Sequence, residues 1–171
     1  MTNKIKLFDP IVDHREQNAM IKVLKNNFWA SGSGSGKVLE FEKQFKKYIK
    51  TKQCIALNSG TAALHLALSL FDLDKSEVIL PAFTWNSDVV AVINSGFKPI
   101  FVDISLKNLA LDEKLVKKNI TKNTAAIFLT HAMGFLGISE SFLNYIKKKK
   151  ILLIEDVCES HGISLRGKKG G

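Results

Sequence analysis

The sequence predicts an α/β protein: a three-layer sandwich with a mainly parallel sheet between helices. Three observations carry this. From Lys52 onward, short apolar runs alternate with helical patterns. The runs are continuous and rich in Ile, Val and Leu, as in Val78-Ile79-Leu80 and Ile151-Leu152-Leu153-Ile154. Strands covered on both faces read this way. A helix-length segment separates most runs, as right-handed parallel crossovers require.

Each element follows in order. Ala19, Met20, Val23, Leu24 and Phe28 recur at helical spacing and predict an amphipathic helix over 14–27. The Ser/Gly run 31–36 predicts a loop. Val38, Leu39, Phe41, Phe45, Tyr48 and Ile49 predict a second helix, to about Lys50. Gln53–Leu57 reads as a short strand and Thr61–Phe71 as an Ala- and Leu-rich helix. Glu77–Leu80 reads as a strand stopped by Pro81, and Asn86–Asn94 as a helix ended by Gly96. The alternation continues with a strand Pro99–Ile104, a helix Glu113–Asn119, a strand Thr124–Thr130, a helix Ser139–Lys149 and a strand Ile151–Asp156.

Composition narrows the class. The 171 residues are 46% hydrophobic and 24% charged, enough apolar matter for one core and too much for global disorder. With 11 Gly and 3 Pro, a collagen-like chain is excluded. The net charge is +9, but only Arg15 and Arg166 are arginines. Bidentate phosphate and base readers favour arginine, so no nucleic acid partner is expected. Cys54 and Cys158 lie far apart, as in a reducing compartment. The first residues show no apolar signal core, and no apolar run approaches the ~20 residues of a membrane helix. The expected location is the cytoplasm, with no membrane partner.

Several motifs invite chemistry. The glycine run fails as a P-loop, because Ser31 stands where the first Gly is needed and Val38 follows Lys37. Asn58-Ser59-Gly60-Thr61, between a strand and a helix, suits either an anion site at a helix N-terminus or a plain turn. Trp85 follows a strand at the carboxyl edge of the sheet, where it could be a stacking platform or a core residue. Asp156 leaves a buried strand at the same edge. It needs a cationic partner, either a structural Lys or Arg or a ligand. No Cys or His pair has zinc spacing, and no G-x-S-x-G elbow appears.

Asn58-Ser59-Gly60-Thr61-Ala62-Ala63-Leu64, Pro81–Trp85 and Glu155-Asp156-x-x-Glu159-x-His161-Gly162 lie in order along the chain. Together they resemble the DegT/StrS family of sugar aminotransferases, pyridoxal 5'-phosphate (PLP) enzymes of fold type I. Phe28–Gly32, Leu39–Glu42, Pro99–Ile104 and Thr130-His131 with Gly134 resemble other stretches of that family. The resemblance implies that Ser59, Gly60 and Thr61 hold the cofactor phosphate and that Trp85 stacks on the pyridine ring. It implies that Asp156 keeps the ring nitrogen protonated, a catalytic role. Glu159 stands where the family usually has Gln facing the ring 3-hydroxyl, a departure.

The resemblance places the family's Schiff-base lysine downstream of Gly171, so Lys168 and Lys169 do not match it. Residues 1–52 are then an N-terminal helical segment, and 53–171 the front part of an incomplete PLP-binding large domain. The implied reaction is amino transfer from glutamate to a nucleotide-linked keto-sugar, in a homodimer. Alternatives are a PLP-dependent sugar dehydratase of the same family and a truncated, non-catalytic binding module.

Overall fold

The computed structural model describes residues 5, 9–26, 32, 34–70 and 75–171. Its elements are α1 (His14–Lys25), α2 (Gly36–Ile49), α3 (Gly60–Ser69), β1 (Glu77–Pro81), α4 (Asn86–Asn94), β2 (Lys98–Val102), α5 (Glu113–Asn119), β3 (Thr124–Thr130), α6 (Glu140–Lys148), β4 (Leu152–Asp156), β5 (Ser164–Leu165) and β6 (Lys168–Lys169). The short pair β5–β6 is an antiparallel hairpin.

Strands β1 to β4 form one parallel sheet in the order β2-β1-β3-β4. The chain moves outward from β1 to β2, then returns to the far side of β1 as β3. Right-handed crossovers running in opposite directions put their helices on opposite faces. Packing agrees. Val92 and Ala91 of α4, with Leu68 of α3, pack on Val78, Leu80, Ala126 and Phe128. Val116 of α5 and Phe142 and Ile146 of α6 pack on Ile79, Ile127 and Leu129. Alternate residues of each central strand thus feed two separate cores, and all seven residues of β3 are buried. This is the expected three-layer α/β architecture.

The reversal between β1 and β3 has a consequence for ligands. The loops after these strands diverge to opposite faces and leave a crevice at the carboxyl edge, the place where open α/β sheets bind ligands.

Local chemistry explains the helix starts. Asp13 and Glu16 form a reciprocal capping box on α1. Ser59, Asp112 and Ser139 cap α3, α5 and α6 through their side chains.

Several boundaries differ from expectation. Gln53–Leu57 is not a strand. β1 already pairs on both sides, and the Ala56 N–H donates to Glu42 Oε1 at 2.8 Å instead of to a neighbouring strand. Ile55 and Leu57 accordingly remain exposed. β1 runs through Pro81, and β2 ends at Val102. Helix α3 begins one residue early, at Gly60. Phe28 and Phe71 lie outside the described residues.

Candidate active site

The crevice gathers side chains from four elements. At one end, Ser59 Oγ accepts the Ala62 N–H at 3.2 Å and so starts α3. The next N–H groups, of Gly60 and Thr61, belong to the first turn and have no intrahelical acceptor. A Cβ on Gly60 would meet nothing within 4 Å, so this helix end opens onto free space. Gly60, Thr61, Ala63 and Leu64 form one wall of a cavity of about 460 Å³. Trp85, Asp156, Cys158 and His161 line the same cavity.

Trp85 precedes α4 and is 59% exposed, so it is not a core residue. It also lines a second cavity of about 240 Å³, with Phe83, Thr84, Thr130, Ala132, Met133 and Glu159.

The other end is acidic. Asp156, 9% exposed, ends β4 in register with Thr130, and its Oδ1 accepts the Cys158 N–H at 2.9 Å. Beside it lies Asp88 of α4, which is wholly buried. Thr84 Oγ1 donates to Asp88 Oδ2, and Thr130 Oγ1 donates to the same oxygen at 3.0 Å. Asp88 Oδ1 is buried and has no hydrogen-bond partner among the described residues. Burial pushes the Asp88 carboxyl up to about 6; the Asp156 charge adds to this, and the two hydroxyls oppose it. Among the described residues, neither carboxylate has a salt bridge to a Lys or Arg.

A second acidic group behaves differently. Glu155 Oε1 lies 3.0 Å from His131 Nε2, and His131 Nδ1 accepts the Gly137 N–H at 2.9 Å. The backbone donor fixes the tautomer: the proton sits on Nε2 and points at Glu155. Glycine is required at 137, because a Cβ there would fall 2.7 Å from Ala110 Cβ and 3.1 Å from His131 Nδ1.

Backbone bonds tie the loops after β3 and β4 together. The Met133 N–H donates to Glu159 Oε2 at 2.9 Å, and the Gly134 N–H to Ser160 Oγ at 3.0 Å. His161 packs edge-on against Phe45 of α2, with ring centroids 5.9 Å apart.

A helix N-terminus, an exposed aromatic ring and the Asp156 carboxylate, which has no Lys or Arg partner among the described residues, therefore line one cavity. Chain comparison decides the family. The model of the DegT/DnrJ/EryC1/StrS aminotransferase family matches residues 10–171. The chain belongs to this family. Among its members, GDP-perosamine synthase of Vibrio cholerae is 30% identical over 98% of this chain and 45% of its own length. The dTDP-3-amino-3,6-dideoxy-alpha-D-galactopyranose transaminase of Aneurinibacillus thermoaerophilus is 31% identical over 91% of this chain and 42% of its own. A crystal structure of GDP-4-keto-6-deoxymannose-3-dehydratase with a trapped PLP-glutamate geminal diamine superposes with a TM-score of 0.88 at 27% identity, over 98% of this chain and 45% of the other. The chain thus spans less than half the length of these relatives.

Of the residues singled out from the sequence, Gly60, Thr61, Trp85 and Asp156 come together around one cavity, with Ser59 capping the helix behind them. Glu159 lines the second cavity, which shares Trp85 with the first. Asp88, Thr84, Thr130 and the His131–Glu155 pair went unread. Asp88 left a signal, since it is an acid set directly before Val89 and Val90 in a short apolar helix. Thr84 lies only four residues before it, but Thr130 left no signal, because it stands on another strand 42 positions away.

Proposed function

We propose that this chain forms the front part of a PLP-dependent aminotransferase that acts on a nucleotide-linked keto-sugar in polysaccharide or cell-surface sugar biosynthesis. Residues 1–52 lead into the cofactor-binding domain, of which 53–171 is the first part. Glutamate is the amino donor, and the working protein is a cytoplasmic homodimer. Among the described residues, no helix is long and apolar enough to cross a membrane.

One observation carries the reading. A single cavity is lined both by the N-terminus of α3, at Gly60 and Thr61, and by the Asp156 carboxylate, which has no Lys or Arg partner among the described residues. PLP has the complementary chemistry: a phosphate dianion, a flat ring and a basic ring nitrogen. About 460 Å³ falls within the usual range for small-molecule sites.

When bound, PLP supplies an electron sink for the carbon from which a proton is removed. The chain's own residues bind and orient it. Gly60 and Thr61 direct N–H groups and the helix dipole at the phosphate. Trp85 gives the ring a flat apolar surface and keeps water from that face. Asp156 keeps a proton on the ring nitrogen, and the Cys158 N–H fixes its orientation. Lys168 and Lys169 line a different cleft, with Ile49 and Lys50, and take no part.

The dehydratase reading is supported by the TM-score of 0.88 to such an enzyme and by Glu159 in place of the family's usual Gln. Both activities need phosphate and ring nitrogen held in this way. The test is product analysis with the complete protein, PLP, glutamate and a panel of nucleotide-linked keto-sugars. An amino sugar, formed as 2-oxoglutarate accumulates, supports the aminotransferase. A deoxy keto-sugar without retained nitrogen supports the dehydratase. Neither product, with no PLP bound, sinks both.

A further inference from the structure

Asp88 is buried more deeply than Asp156, and charge burial without a partner is costly. Two hydroxyls serve its Oδ2, one from the segment between β1 and α4 and one from β3. Its Oδ1 is orphaned among the described residues, and Asp156 stands on β4 in register with Thr130, the residue whose hydroxyl reaches Asp88. A carboxylate oxygen only accepts, so two ionised groups here would repel and could not hydrogen-bond each other. A single proton on Asp88 Oδ1 satisfies the orphan and turns repulsion into a hydrogen bond.

The groups facing Asp88 are few. Thr84 approaches from the segment between β1 and α4, Thr130 from β3 and Asp156 from β4. Helix α3 packs near α4 through Leu64 and Leu68. Of these, Asp156 alone carries a charge.

We propose that Asp88 is a positioning residue for Asp156: the two carboxyls form one proton-sharing pair, and the pair receives the protonated ring nitrogen as a unit. This rests on reading the cavity as the PLP site. With the shared proton in place, the pair carries one negative charge, held still by the two threonines. Without it, the pair carries two, and a cation bound at Asp156 feels both. Cation binding and proton release are therefore linked, and the cation is held more tightly as pH rises through about 6. Asparagine at 88 keeps the shape and a donor toward Asp156 but cannot release a proton.

The probe is pyridoxine 5'-phosphate, which has the ring and phosphate but no aldehyde and so needs no covalent lysine. Its affinity is measured by tryptophan quenching for the parent chain, Asp88→Asn and Asp156→Asn between pH 5 and 7.5. Dividing parent by variant affinity at each pH cancels the probe's own titration. The expected parent-to-Asp88→Asn ratio is near one at pH 5 and about tenfold by pH 7.5. A ratio that stays flat overturns the pair. Unchanged binding by Asp156→Asn at every pH instead overturns the reading of the cavity. If Asp88→Asn does not fold, carboxyl carbon NMR of the aspartate-labelled parent decides. A carboxyl that titrates near pH 6, coupled to a second one, supports the pair. Aspartates that all titrate in the ordinary range overturn it.

Discussion

The two ends of the candidate cavity are built by opposite means. The helix end is local: Ser59, Gly60 and Thr61 are consecutive, the donors are backbone groups, and Ser59 Oγ bonds only three residues away. The carboxylate end is assembled across the sheet. Asp88 meets Thr130, 42 positions distant, and sits beside Asp156. The local end is exposed and presents donors that any helix start has. The assembled end is buried, and burial is what raises the proton affinity of Asp88. One end can be altered with little effect on the fold; the other is part of the core.

The largest expected effect tests the assembled end. Asp156→Ala in the complete protein should weaken cofactor binding about ten- to a hundredfold, from a lost charge-assisted bond of ~1.5–3 kcal/mol. It should reduce turnover further still, because the protonated ring matters most in the transition state. Intact turnover with the cofactor bound would remove Asp156 from the site.

Next comes pH. The Asp88 carboxyl is held at about 6 in the folded chain, above its ordinary 3.8. The folded state therefore binds the extra proton, and the stability it gives is fully present below about pH 4. That stability is lost as pH rises through about 6, up to about 3 kcal/mol in all. Urea melts of the parent and Asp88→Asn should diverge by this amount between pH 4 and 7, the variant gaining relative to the parent. Parallel curves would mean that Asp88 is paired in a way that burial does not show.

The local end should respond less. Ser59→Ala removes one helix cap, about 1 kcal/mol in thermal unfolding, and leaves the acidic pair's titration untouched. Smallest of all is Gly60→Ala. With no atom within 4 Å of the new Cβ, unliganded stability should stay within about 0.5 kcal/mol. The methyl group would, however, project into the space where phosphate approaches, so binding of the pyridoxine probe should fall. Equal losses of stability and binding would contradict this division between scaffold and site.

The same division explains what the sequence disclosed. Thr124–Thr130 was legible as a strand to the residue, because seven apolar or β-branched positions buried on both faces need no partner to be recognised. Gln53–Leu57 looked alike but lacks a pairing strand, and its Ala56 N–H turned to Glu42. Glu159 was assigned to the site by resemblance; its Oε2 accepts the Met133 N–H, and it lines the second cavity together with Trp85.

By itself the sequence determined the α/β alternation, the helix caps and the residues at the carboxyl edge of the sheet. These depend on periodicity and on neighbours within a turn or a strand. Tertiary structure alone decided which buried acids meet, which of them is satisfied and which cavity each residue lines. His131 satisfies Glu155 across 24 positions, and Asp88 is left with an unpartnered oxygen beside Asp156. Such pairings arise from strand order and burial, and no local pattern encodes the distance between two carboxyls that meet only when the sheet is assembled.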